Sequence, residues 1–494
     1  MGLSMRSRFI SVAGLAVLSG CAVGPNFHRP APPATPDYGT ASPHGATAAS
    51  AASGGAAQQL VDGMDIPGQW WEVFQSPKLT ALVEQALKAN PTVDAARAAL
   101  RQANDLYKAQ RTSFFPTVQG SFNALRAKNP VDTLANPTSL PQVNPYYNLF
   151  TAQLSLSYMP DVFGGTRRAL ESTRAGVEAT RFELIATYVT LSSNVVTTAV
   201  QEAAERGQIA ATERLLALQG QLTETLQRQL GIGTASRADL LAQQAAEAQL
   251  AATLPPLQKQ LGVTRDALTA LLGRLPAEEP AETFRLEDLT LPTAVPVSLP
   301  SKLVEQRPDV RQAEANLHAA SAEVGVSVAN MLPQFTITGD TGSAALAFSQ
   351  LFHANTGFWD LGASLTQTLF DAGALIYKHR AAVAALDEAG AQYRATVILA
   401  CQNVADTLRA LQADGETLKA SAAADHAAEA SFDLAREQYR IGTLSQVALL
   451  NAEQTYRQAE IALVQAQANR YADTAGLFQA LGGGWWNLPA ATFQ

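Results

Sequence analysis

Leu18-Ser19-Gly20-Cys21 follows a short apolar run, roughly Phe9 to Leu18, which Arg6 and Arg8 precede. A basic start, a short apolar stretch and small residues leading into cysteine make a lipobox. The chemistry needs that cysteine, because only a thiolate sulfur takes up a diacylglyceryl thioether before cleavage. Cys21 is therefore expected to carry S-diacylglycerol and, once it is the new N-terminus, an N-acyl chain. The alternative is an ordinary secretory peptide with an incidental cysteine. The apolar run is too short to cross a bilayer as a helix. Residue 22 is Ala rather than an Asp that would favour inner-membrane retention, so sorting is expected to the outer membrane.

Other chemistry-bearing residues do not gather. His28 and His44 lie in an Ala/Pro/Ser/Gly-rich stretch, and His318, His379 and His426 lie in helical patterns without ligand spacing. There is no Gly-x-Ser-x-Gly and no phosphate loop, and Gly231-Ile232-Gly233 follows no strand. Glu278-Glu279 sits in a proline-rich connector, where solvated charge is the expected role. No enzyme, metal or cofactor is expected. A net charge of -8 argues against nucleic acid as the partner, since no basic face is expected to dominate. With Cys21 lipidated, Cys401 has no intrachain partner, so stability must come from packing.

The stretch His28 to Gln59 lacks apolar periodicity and reads as a flexible tether, with the fold proper beginning near Trp70-Trp71. A second proline-rich stretch, Pro276 to Pro300, divides the remainder into halves that repeat one another. Asn90-Pro91-Thr92-Val93 answers Arg307-Pro308-Asp309-Val310, and Phe115-Pro116 answers Leu332-Pro333, both at an offset of 217. Ile232-Gly233-Thr234-Ala235-Ser236 answers Ile441-Gly442-Thr443-Leu444-Ser445 at 209, as do Leu240-Leu241 with Leu449-Leu450 and Leu272-Gly273 with Leu481-Gly482. The organisation expected is residues 1–20 as signal peptide, 21–60 as lipidated flexible tether, and 61–285 and 286–494 as duplicated units.

Each half combines two periods. No proline interrupts Asp161 to Leu254 or Gln334 to Leu488, and Leu218, Leu222, Leu226 and Leu230 recur on one helical face. A helix from Thr166 to Leu230 would run roughly 100 Å at 1.5 Å per residue and needs lateral partners, as in a coiled coil or helical tube. Strict alternation marks Val118–Ala124, Phe150–Tyr158, Phe335–Thr338 and Trp359–Thr366, with aromatics near the strand ends. A soluble hairpin lying on a core shares that alternation. No uncharged apolar run of about 20 residues follows the signal, so a membrane helix is excluded while a β-barrel is not. Four strands cannot close a barrel by themselves; if they lie in a membrane, several chains must share one. The connections between paired strands, about Leu125 to Asn148 and Thr341 to Gly357, read as polar loops on the outer surface.

With these features in order, the chain resembles the TolC-like outer membrane factors, specifically the lipoprotein branch of tripartite drug efflux pumps. The lipobox, the duplication, Arg307-Pro308-Asp309-Val310 followed by Leu332-Pro333, and Leu369-Phe370-Asp371-Ala372-Gly373 before the last long helix carry the resemblance. It covers nearly everything after Cys21. It implies a mainly α fold with a transmembrane β part: a homotrimer with a shared twelve-stranded outer membrane β-barrel, four strands per chain. Below lies a periplasmic α-barrel of long helical hairpins with a mixed equatorial belt. The implied function is a passive exit duct for drugs or other toxic small molecules. It would dock to a periplasmic adaptor and an inner-membrane transporter, without a cofactor. By the same resemblance Gly233, Thr234, Ser236, Gly442, Thr443 and Ser445 form hairpin tips that touch the adaptor, the plainer reading being turns alone. Val447 and Asn451 are expected at the periplasmic aperture. Many members carry an acidic residue where this chain has Asn451, so narrowing by size and hydrogen bonding is expected here instead of a charged ring. Protein secretion through the same duct, or a lipid-anchored coiled-coil protein spanning the periplasm, are the alternatives.

Overall fold

The structure, a computed structural model, describes residues 22–35, 37–39, 45–128 and 146–493. The first run of elements is β1 (Gln59–Asp62), α1 (Pro77–Ala89), α2 (Pro91–Arg111), β2 (Thr117–Lys128), β3 (Tyr146–Tyr158), α3 (Gly165–Gly231), α4 (Arg237–Ala251) and α5 (Leu254–Leu271). The second run is β4 (Ala294–Val297), α6 (Pro300–Gln306), α7 (Pro308–Ala329), β5 (Gln334–Ala345), β6 (Gly357–Thr366), α8 (Ala374–Arg440) and α9 (Gln446–Ala480). The two runs follow one order, and α3 and α8 are each 67 residues long. Asp161 and Asp371 start these helices, accepting hydrogen bonds from Thr166 and Arg167 N–H and from Gly373 and Leu375 N–H respectively. The return helix is continuous in α9 but broken between α4 and α5. There Pro255 and Pro256, which have no N–H to donate, fit only the first turn of a new helix.

The matched anchors meet in pairs. Asn90 Nδ2 donates to Leu271 O at 2.8 Å, and Arg307 donates to Ala480 O at 3.0 Å. Beside them Gly273 (φ +72°) and Gly482 (φ +97°) end their helices. A Cβ on either would lie 2.5 Å from Ala89 O or 2.6 Å from Gln306 O. The positive φ and the close backbone approach both demand glycine.

One compact unit comprises, among the described residues, 22–29, 102–128, 146–177 and 315–391. Its centre is the antiparallel sheet β2-β3-β5-β6. Register puts Phe122 opposite Ala152, Leu154 opposite Thr341, Thr341 opposite Trp359 and Gly339 opposite Leu361. Following these pairs, Val118, Phe122, Phe150, Leu154, Leu156, Ile337, Trp359, Leu361 and Leu365 share one face. Gln119, Ser121, Gln153, Ser155, Thr338, Asp340, Asp360 and Ser364 share the other. All four strands reach beyond their alternating cores. β5 continues through Gly339–Ala345, which the sequence pattern assigned partly to a loop, because small residues pair without displaying alternation. Gly342 is one of them: a Cβ there would sit 2.4 Å from Ala152 O. Most of the expected Leu125–Asn148 loop lies outside the described residues.

The other unit comprises residues 30–101, 178–314 and 392 onward. Trp70, Trp71, Phe74, Tyr471 and Phe478 form its aromatic core, with Trp70 stacked on Phe478 at 5.5 Å. On α8 the buried residues Val404, Leu408, Leu411, Gly415 and Leu418 step by four and three, the seam of a left-handed coil. No helix among the described residues is long and apolar enough to cross a membrane.

The tether expectation needs correction in its described part. In the first unit Val23 N–H donates to Phe163 O, Arg168 grips Val23 O and Asn26 Oδ1, and Phe27 stacks on His318 at 4.3 Å. In the second unit Gln59–Asp62 pairs in parallel with Ala294–Val297 as a β1-β4 ribbon. Arg470, fully buried, donates to Thr47 Oγ1 at 2.9 Å and to Ala56 O at 2.6 Å. Small residues and prolines lack periodicity, yet they leave backbone groups free to bond and let the chain lie close against Gly415.

Beside Arg470, the Asp414 carboxyl is pushed up to about 7 by burial and by its hydrogen bond and charge repulsion with Asp473, with Arg470 opposing. A carboxyl with a raised folded-state value binds its proton more tightly folded than unfolded. Stability from this group is therefore present at low pH and is lost as pH rises from about 4 through about 7. Asp414→Asn removes that loss. The variant is expected to be more stable than the parent at pH 8 by about 1–2 kcal/mol after solvent screening, with the advantage shrinking toward pH 4. Apparent melting temperatures of the detergent-solubilised protein across that range test it; a pH-independent difference would rule the titration out.

Candidate functional site

The two helix reversals at the far ends of α3 and α8 match bond for bond. At the first, Gly233 has φ +78°, its N–H donates to Leu230 O, and Thr234 donates to Gln229 O through both N–H and Oγ1. At the second, Gly442 has φ +81°, its N–H donates to Tyr439 O, and Thr443 donates to Gln438 O in the same two ways. This is a Schellman ending with a left-handed glycine, reinforced by a threonine hydroxyl. Ser236 then caps α4 in a reciprocal box with Asp239, and Ser445 Oγ accepts from Ala448 N–H to start α9. Gly, Thr and Ser at these positions thus have a structural task first: stop one helix, turn, and start the next. The turns leave Ile232 and Ile441 largely exposed, at 77% and 58%.

Behind the second turn Phe432 stacks on Tyr456 at 5.7 Å, and Leu449 is buried with Leu218 and Leu222 against it. The leucine stripe expected on α3 therefore finds its packing partners on α8 and α9.

Val447 is 65% exposed, one turn before the exposed Asn451. The structure places them differently: Asn451, Gln454 and Arg457 line a cleft of about 520 Å³ with Gln219 and Ala246, and Val447 is not among its lining residues. Asn451 offers only an amide here, and the positive group beside it is Arg457. The lipidation site, Cys21, lies outside the described residues.

A polar belt that reaches the wall of this cleft through Gln219 and Glu453 is absent from the sequence reading. Gln219 on α3, Gln243 on α4, and Gln446 and Glu453 on α9 are all buried. Gln446 bonds Gln243, which bonds Gln219. Burial pushes the Glu453 carboxyl above the usual carboxylate range, while Gln219 and Arg457 draw it back. In chains so rich in glutamine and glutamate, these four carried no distinguishing signal; only their spacing against Leu240 and Leu449 hinted at an inward face. Among the described residues, no cluster of three His, Cys, Asp or Glu could hold a metal.

Comparison with known proteins fits this architecture. The family model described as outer membrane efflux protein matches residues 82–274 and again 299–483. A pyoverdine export outer membrane protein of Pseudomonas putida is 29% identical over 92% of this chain and 94% of its own. A solvent efflux pump outer membrane protein of the same species is 27% identical over 97% and 99%. The outer-membrane channel OprN superposes with a TM-score of 0.82 at 28% identity, covering 94% of this chain and all of that one. The Campylobacter jejuni CmeC channel, at 22% identity and a TM-score of 0.84, shares the fold. The fold is that of the TolC-like outer membrane channels, and the chain belongs to the outer membrane efflux protein family.

Proposed function

We propose that this protein is the passive exit duct of a tripartite efflux system in a Gram-negative outer membrane, passing drugs or other toxic small molecules. The observation that carries this reading is the four-stranded sheet, apolar on one face and polar on the other, with β2 and β6 at its edges. Such a sheet in lipid must have its edges paired, and four strands are about half the minimum for closure, so further copies complete the barrel. We take the assembly to be a homotrimer, with repeats 61–285 and 286–494 giving six similar helical hairpins. The adaptor would meet the turns at Gly233, Thr234, Ser236, Gly442, Thr443 and Ser445, where a sharp glycine reversal lets another protein's backbone approach closely. Val447 and Asn451 would narrow the entrance by size and amide hydrogen bonding. A lipid on Cys21, exposed by removal of residues 1–20, would add a second membrane attachment. No reaction is performed; energy comes from the inner-membrane transporter.

The test is intracellular accumulation of a panel of antibiotics, dyes, solvents and aromatic acids in a deletion strain, its parent and a complemented strain. Raised accumulation of particular compounds, reversed on complementation, is expected and identifies the exported class. Unchanged accumulation together with retention of a normally secreted protein would favour protein export instead.

A further inference from the structure

The β5–β6 connection, Leu346 to Thr356, does not match the polar outer loop expected of it. It carries Leu346, Phe348, Leu351 and Phe352 and contains no Asp, Glu, Lys or Arg. Instead of standing away from the sheet, it folds back across one face. Phe348 reaches over β3 to meet Phe150 at 5.8 Å and Phe122 at 6.1 Å, both edge-to-face. Phe352 lines a shallow notch with Gly120, Phe122, Ala152, Leu154, Thr341 and Ser343. These six strand residues belong to the apolar face fixed by the register, and Ser121, Gln153 and Gly342, which alternate with them, also border the notch. The small side chains of Gly120, Ala152 and Ser343 leave the space that the loop occupies.

Leu351 is buried beneath it, yet Leu346, Phe348 and Phe352 remain 64%, 64% and 78% exposed. Phe348 and Phe352 thus lie over the apolar face of the sheet with most of their surface still uncovered among the described residues. The backbone supports such a position. Gln350, Leu351, His353 and Thr356 N–H donate to Ala347, Phe348, Gln350 and His353 carbonyls. Thr356 Oγ1 bonds the Leu351 and His353 carbonyls, and Thr356 O receives Ala344 N–H. Irregular backbone is not tolerated deep in hydrocarbon, but a loop that bonds part of its own backbone suits the headgroup boundary, where water meets the rest.

We propose that Leu346–Phe352 is a membrane-seated wedge: it lies on the outside of the barrel at the outer-leaflet boundary and inserts Phe348 and Phe352 among lipid acyl chains. Together with Phe122, Phe150 and Trp359 it widens the aromatic girdle that holds a barrel at fixed height. The proposal rests on the barrel reading above, and the experiment separates the two.

The full-length protein is produced in cells with p-benzoylphenylalanine in place of Phe348 or Phe352, irradiated, purified under denaturing conditions, and examined for lipid adducts by mass spectrometry. Leu361 (apolar strand face) and Asp360 (polar face) receive the same replacement as references. The expected result is acyl-lipid adducts at 348, 352 and 361 and none at 360. Adducts at 361 alone, or crosslinks from 348 and 352 to a second copy of the chain, would overturn the wedge while leaving the barrel. Absence of lipid at 361 as well would overturn both.

Discussion

Arg470→Met is expected to destabilise the protein by about 3 kcal/mol and to release the segment around Thr47–Ala56. Arg470 is fully buried, and its guanidinium spreads to Thr47 Oγ1, Ala56 O and, at 3.4 Å, Ala48 O. Methionine keeps most of the volume and removes the fork, so the loss is polar. The carbonyls keep their desolvation cost without a donor, and the half-buried Asp414 loses its opposing positive charge. The segment retains Gln58, whose Nε2 donates to Thr474 Oγ1 at 3.2 Å, and the β1-β4 pairing, so the global fold survives. Arg470→Lys restores charge but not the two separate nitrogens that reach Ala48 on one side and Thr47 and Ala56 on the other, and should rescue only partly. The readout is limited proteolysis with terminal sequencing. New cleavage between residues 45 and 58 in the Met variant, absent in Asp414→Asn, supports the account; equal protease half-lives and melting temperatures would sink it.

That segment also shows where sequence reading stops. Long proline-free runs disclosed α3 and α8, because an uninterrupted helix leaves its mark in every residue that would have broken it. The two reversals were legible because a left-handed C′ position admits glycine almost alone. Residues 45–60 fall within the stretch that reads as tether, because their docking uses backbone carbonyls and small side chains, and any composition supplies those. The partner that binds them, Arg470, is more than 400 positions away and looks like one more arginine on a polar helix. The belt of Gln219, Gln243, Gln446 and Glu453 was invisible for a related reason. A buried amide ladder bonds one member to the next, so it needs no apolar signature, and period alone does not tell it from a solvated stripe. The site was legible as turns and an exposed helix start; Arg457 was not, since Asn451 to Arg457 spans almost two turns and includes non-lining residues.

Within the alternating cores of the four strands, sequence period and register agree on which side chains share a face, and those faces support the largest functional effect. Leu361→Arg is expected to abolish stable insertion in the outer membrane, and Asp360→Arg to leave insertion intact. The two positions are adjacent in the middle of β6, so turn chemistry, depth and strand propensity are nearly shared. They differ in direction: Leu361 lies opposite Gly339 on the apolar face, Asp360 opposite Asp340 on the polar one. A lipid-facing arginine near the midplane costs about 2–4 kcal/mol per chain, and a symmetric assembly carries that cost once in every copy. On the polar face the same arginine stays in water. It also relieves the Asp340–Asp360 repulsion across the strands. Outer membrane fractionation with unheated gel electrophoresis reads the outcome. Loss of the heat-sensitive oligomer for Leu361→Arg, with retention for Asp360→Arg, is the result expected of a sheet whose apolar side faces lipid. Equal loss would mean that β6 tolerates charge on neither face, as in a sheet packed between protein layers. The reverse pattern would turn the sheet inside out, placing Phe348 and Phe352 in the lumen.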